Sequence, residues 1–218
     1  ARHAKLERLD WATLAATAHH LSLNPKWRRL FSAEVLKPGV ILKVTRVALL
    51  FSDLTQSTAL YSRAGDAPAF RLVQDHFVLL RGIVEKQEGT IVKTIGDAVM
   101  AAFADEEHAV RAAVAMQRAF VGFRPAYPDA IDVFLKLGVH AGPCYAVTAN
   151  GLLDYFGQTV NVAARLQGKA HAGEIVVGED LAARSEAGGW LDGARVTERF
   201  DAALKGLDQT LRAARIAL

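Results

Sequence analysis

Between Arg46 and Leu54 the chain reads RVALLFSDL, an apolar run long enough for a buried strand and too short for a helix. STALYSRAG follows, then APAFRLVQDHFVLLRGIVEKQEG, in which Phe70, Val73, Phe77, Leu80 and Val84 recur at helical spacing and Gly89 supplies a stop. GTIVKTI and AVMAAF flank Gly96-Asp97 and predict two strands of a hairpin, because both turn residues tolerate tight backbone geometry. EEHAVRAAVAMQRAFVGF predicts an amphipathic helix with Val110, Val114 and Phe120 on its inner side. IDVFLKLGVHAG alternates Val133, Leu135, Leu137 and Val139, the mark of a strand with one buried face. GQTVNVAARLQGKA is helical, EIVVGED is a strand, and a shorter α/β tail closes the chain. The order βαββαβ predicts an α+β fold: a ferredoxin-like core, a mainly antiparallel sheet with flanking helices, and an α/β C-terminal extension. That architecture hosts many functions and selects none.

Composition narrows the classes. The chain has 218 residues, 51% hydrophobic and 22% charged, which suits one good-sized folded domain with additions. No apolar run approaches the ~18 residues of a membrane span, and the N-terminus lacks the apolar centre of a secretory signal. The one cysteine, Cys144, forms no intrachain disulfide and fits a small core residue in a reducing compartment. A cytoplasmic location is therefore expected, with a longer parent chain free to be membrane-tethered. The net charge of +3 is uneven, with nine Lys/Arg against three Asp/Glu in residues 1–46. That leader has too few aromatics for a nucleic-acid stacking platform, so it reads as a basic linker or the end of an upstream regulatory region. The chain does not begin with Met, and a fragment of a longer polypeptide is expected.

Three stretches carry chemistry. LLFSDLTQST places Asp53 where a strand meets a polar loop, and KTIGDAVM places Asp97 at the hairpin turn. If the first strand lies beside the hairpin, two carboxylates come close, and they repel unless a cation sits between them. A Mg²⁺ pair answers this, since hard cations take carboxylate oxygens and recruit phosphates. The N–H groups of SDLTQST, leading into a helix, suit a phosphate chain. The plainer reading is that Asp53 caps a helix and Asp97 fills a turn. In LDYFGQTVNVAARLQG, Asn161 and Arg165 are four apart on one helical face, otherwise covered by Val160, Val162, Ala163 and Ala164. Such a pair calls for a buried acid or an anionic ligand. His140 is expected to be packed or half-buried.

FSDLTQST, KTIGDAVM and LDYFGQTVNVAAR, in this order and spacing, resemble the class III nucleotidyl cyclases, the adenylate and guanylate cyclases. The resemblance runs from about Val47 to the C-terminus, so residues 47–218 are expected to form the cyclase catalytic domain. It implies that Asp53 and Asp97, with the backbone of Leu54, bind two Mg²⁺ or Mn²⁺ ions. It implies that Lys93 and Asp154 select the base, that Thr55 and Lys205 (in ALKGL) contact substrate, and that Asn161 and Arg165 orient the ribose and stabilise the transition state. Lys93 donating to N1 and Asp154 accepting from N6 match adenine, whereas guanine presents the reverse pattern. The implied activity is ATP conversion to 3′,5′-cyclic AMP and pyrophosphate. Because the family's sites draw residues from two subunits and this chain holds both sets, a homodimer is implied. The rivals are a catalytically silent nucleotide-binding module and a guanylate cyclase. The Gly-Gly-Asp/Glu-Glu-Phe signature of diguanylate cyclases is missing.

Overall fold

The computed structural model describes residues 21, 23, 24, 26, 27, 40–149, 152–204 and 210–218. Strand β1 (Leu42–Leu54) leads into helices α1 (Ser57–Ala64) and α2 (Asp66–Lys86), then β2 (Thr90–Ile95) and β3 (Ala98–Phe103). Helix α3 (Glu106–Phe123) and two short 3-10 turns precede β4 (Leu135–Ala149) and β5 (Leu152–Phe156). Helix α4 (Gln158–Gln167), β6 (Ile175–Gly178), α5 (Glu179–Ala187), β7 (Arg195–Ala202) and β8 (Leu211–Ala217) complete the fold. One sheet runs β2-β3-β1-β4-β6-β8-β7, with β5 paired to β4. Every pairing is antiparallel except β4 with β6. Its first four strands, with α2 and α3 between them, are the expected ferredoxin-like βαββαβ core, and the later elements are the α/β extension.

Strand β1 is apolar on both faces because the sheet is covered on both. Ala48, Leu50 and Leu54 join the layer with Leu72, Leu80, Val110 and Phe120. Val47, Leu49 and Phe51 join a second layer with Met100, Cys144, Tyr155 and Ala163. Burying each such aliphatic contributes ~1.5–3 kcal/mol. Helix α4 covers the second face, and it lies so close to β4 that glycine is required there. A Cβ on Gly138 would stand 2.2 Å from Gln167 N and 2.7 Å from Ala163 O. The start of α3 is fixed by Asp105, whose side chain accepts from the Glu107 N–H at 2.7 Å.

Two elements differ from the pattern reading. Strand β1 begins at Leu42, before the expected start at Arg46, and a register shift between Val44 and Val47 breaks its alternation. In α2 the buried stripe is Ala69, Leu72, Val73, His76, Leu80 and Val84. Phe70, expected inward, is 58% exposed. Val73, Leu80 and Val84 are buried as expected and Phe77 packs partly against the core, while Ala69 and His76 take the fully buried places next to Phe70 and Phe77. Val133 is buried as expected but precedes β4. No helix among the described residues is long and apolar enough to cross a membrane. Most of residues 1–46, and with them the expected linker, lie outside the described residues.

Candidate active site

The antiparallel register pairs Ser52 with Val99, so the C-terminal end of β1 reaches the β2–β3 turn. The buried Ser52 hydroxyl accepts from the Val99 N–H at 3.2 Å and fastens the two strands there. Gly96 opens the turn at φ 62°, a left-handed conformation that suits glycine. Asp53 and Asp97 thus stand at the same end of neighbouring strands. Asp53 lies opposite Lys136 of β4. Lys136 Nζ is 3.0 Å from Asp53 Oδ2, and Gln167 Nε2 donates to the same oxygen at 3.4 Å. With the Asp53 side chain 31% exposed, this pair holds little stability, ~0–1 kcal/mol. Asp97 differs: its Oδ2 is buried and has no hydrogen-bond partner among the described residues. A buried acceptor left in that state costs ~1–3 kcal/mol, more when charged. Such a carboxylate fits a cation. Among the described residues no three His, Cys, Asp or Glu side chains group as metal ligands. A cation held by Asp53 and Asp97 would therefore take its remaining ligands from backbone, water or phosphate, as Mg²⁺ does.

Lys93 of β2 and Asp154 of β5 come together, Nζ to Oδ2, at 2.6 Å. The other Asp154 oxygen accepts from the Tyr155 N–H at 2.8 Å, which orients the carboxylate. A fixed acceptor thus sits beside a mobile donor, complementary to a flat heterocycle with both groups on one edge. On α4, Asn161 is exposed and Arg165 is half-buried in the last turn. Among the described residues neither side chain has a hydrogen bond or ion pair. Their expected partner is thus not supplied by the described part of this chain.

The other expected residues are placed differently. The Thr55 hydroxyl accepts from the Phe134 N–H at 2.8 Å and donates to the Asp132 carbonyl at 3.4 Å. The Thr55 N–H donates to the Phe134 carbonyl at 2.8 Å. These bonds clamp the loop after β1 to the start of β4. Leu54 is buried and paired with Leu135. Lys205 lies outside the described residues. Cys144 is a buried core residue, its thiol pushed up to about 11 by burial. His140 is half-buried, and burial holds its pKa below the ordinary value.

Three residues at or near this end of the sheet were not foreseen: Lys136, Gln167 and His76. Lys136 carried a signal, as the one charge in an alternating apolar strand, but its partner depends on strand register. His76 also had one, since it falls between Val73 and Leu80 on the apolar stripe of α2. It is fully buried, its Nδ1 lies 2.7 Å from the Val73 carbonyl, and its Nε2 has no partner among the described residues.

The geometry agrees with comparisons to known proteins. The family model of the adenylate and guanylate cyclase catalytic domain matches residues 41–213. The chain belongs to this family, the class III cyclase catalytic domains. Atrial natriuretic peptide receptor 2 of Rattus norvegicus is 31% identical over 159 residues, covering 66% of this chain and 15% of the receptor. The chain therefore spans a small part of that relative's length. Among solved structures, the adenylyl cyclase CyaB of P. aeruginosa superposes with TM-score 0.72 at 22% identity, covering 82% of this chain and 96% of CyaB. The dimeric guanylyl cyclase domain of the RhoGC fusion protein from Blastocladiella emersonii gives 0.67 at 21%, covering 80% and 97%. The fold is thus shared with cyclases of both names.

Proposed function

We propose that this domain converts ATP to 3′,5′-cyclic AMP and pyrophosphate, working as a homodimer with composite sites. The observation that carries the choice of ATP is the Lys93–Asp154 pair, 2.6 Å apart and anchored by the Tyr155 N–H. Set against an adenine edge, Lys93 donates to N1 and Asp154 accepts from N6. A guanine edge would leave both groups mispaired, at a cost of orders of magnitude in selectivity.

Asp53 and Asp97, with the Leu54 backbone, would hold two Mg²⁺ or Mn²⁺ ions. Bound there, they supply the lowered pKa of the ribose 3′-hydroxyl and neutralise charge on the triphosphate. The rest falls to the chain's own side chains. Asn161 orients the ribose so that the 3′-oxygen faces the α-phosphorus. The 3′-oxygen–phosphorus bond forms, the bond to the bridging α,β-oxygen breaks, and the 3′ proton passes to solvent. Arg165 directs its rigid fork of donors at charge developing on the α-phosphate. Lys136 beside Asp53, with Lys205 from the tail, suits the departing pyrophosphate. Thr55, on the loop that it clamps, would contact substrate.

Support for a second copy of the chain comes from apolar exposure near the base-reading pair. Tyr145 and Phe156 face each other across β4 and β5, and both are exposed. Ile95, two residues beyond Lys93, is exposed as well. The metal aspartates of one subunit would meet the base-reading and transition-state residues of the other. Residues 1–46 would link this domain to an upstream regulatory region, in the cytoplasm. Incubation with ATP and with GTP in parallel, with Mg²⁺ or Mn²⁺ and product identification, tests the reading. Cyclic AMP from ATP is expected. Product from GTP alone would reassign the domain as a guanylate cyclase, and binding without product would make it a silent module.

A further inference from the structure

His76 Nε2 and Asp97 Oδ2 are the two buried side-chain polar atoms without a partner among the described residues. His76 lies on the buried stripe of α2 between Val73 and Leu80, and both neighbours pack in the cluster that also holds Val99 and Ala101 of β3. Asp97 stands in the β2–β3 turn, directly before β3 begins at Ala98 and two residues before Val99 of that cluster. The Asp97 charge acts on the imidazole, opposing the burial that lowers the His76 pKa.

Their chemistry defines what joins them. A backbone carbonyl only accepts, so the 2.7 Å contact with Val73 requires the proton on Nδ1. Neutral His76 then presents a bare lone pair at Nε2, and Asp97 presents another acceptor. Two acceptors are joined by a group with two hydrogens, and a buried water is such a group. We propose that His76 is a positioning residue for Asp97, holding its carboxylate through a water bridged between Nε2 and Oδ2. A carboxylate has about four lone-pair sites, so one such bond leaves room for a metal. This rests on the reading of Asp97 as a metal ligand. The helix between the two metal motifs then has a task in the site besides packing.

The test is Mn²⁺ binding, read by electron paramagnetic resonance on the wild type and on His76→Phe, His76→Gln and Asp97→Asn. His76→Phe should weaken Mn²⁺ by about tenfold or more, with wild-type circular dichroism. His76→Gln, whose amide again offers hydrogen-bonding atoms at the Nε2 position, should recover most of that loss. If His76→Phe binds within about twofold of wild type while Asp97→Asn does not bind, the His76 role is overturned and the metal reading stands. A glutamine variant as weak as the phenylalanine one also overturns it. Unchanged binding by Asp97→Asn sinks the metal reading itself. Should His76→Phe fail to fold, nitrogen-15 NMR of the wild-type ring decides. The Nε2 signal should report a bare nitrogen that shifts on adding Mg²⁺, with no such shift in Asp97→Asn. An Nε2 signal indifferent to Mg²⁺ would refute the link.

Discussion

Asp97 shows at the scale of one residue how a site trades stability for function. Its buried carboxylate oxygen, with no protein hydrogen-bond donor among the described residues, is a cost in the metal-free protein. Asp97→Asn should therefore melt no lower than wild type without metal, and up to ~1–3 kcal/mol more stably, while cyclic nucleotide formation falls by at least ~100-fold. Calorimetry beside turnover checks both, and near-normal turnover would remove Asp97 from the metal site. The base-reading pair makes a second residue-scale prediction. Lys93→Glu with Asp154→Cys should lower the ATP-over-GTP ratio of kcat/KM by at least ~100-fold, the loss of two hydrogen bonds at ~1–3 kcal/mol each. Stability should change little, because Lys93 is exposed enough for its ion pair to be weak. An unchanged ratio would make the pair structural. Cys144 should resist iodoacetamide in the folded protein at pH 8, since burial keeps the thiol protonated with its pKa near 11. Rapid native labelling would contradict its place in the core.

At the scale of elements, the close contact of α4 with β4 carries a consequence for the site. Gly138→Ala would drive a methyl into the Gln167 and Ala163 backbone, moving the helix that bears Asn161 and Arg165. The expected outcome is a loss of ~1–3 kcal/mol in stability and a larger fall in kcat than in nucleotide affinity. Denaturant unfolding and steady-state kinetics measure the two, and unchanged kcat would uncouple helix position from the chemistry. The sequence made element order, the hairpin and the α4 face legible, because each has its own period or turn residues. It did not make legible what register decides. Lys136 meets Asp53 only because β4 pairs with β1 in that one alignment. The Thr55 clamp depends on a loop nearly eighty residues later (|i−j| = 79). His76 is not legible because a polar ring beside the larger apolar Phe77 reads as the outward residue of the two. Motif residues were readable because each sets a charge or amide inside an apolar run. Their surroundings were not, since those come from distant parts of the chain.

At the scale of the whole molecule, a single copy holds the carboxylates at one end of β1 and β3 and the base-reading pair across β2 and β5. In the proposed dimer these half-sites belong to different active sites. Catalysis at a site composed from two copies is tested most directly by complementation. Asp53→Ala and Arg165→Ala chains, each inactive alone, are mixed in equal amounts, and cyclic AMP formation from ATP is measured with subunit exchange verified by cross-linking. Random pairing makes half the dimers mixed, each with one intact site of two, so roughly a quarter of wild-type activity should return. A mixture that exchanges subunits yet stays inactive would contradict the composite site.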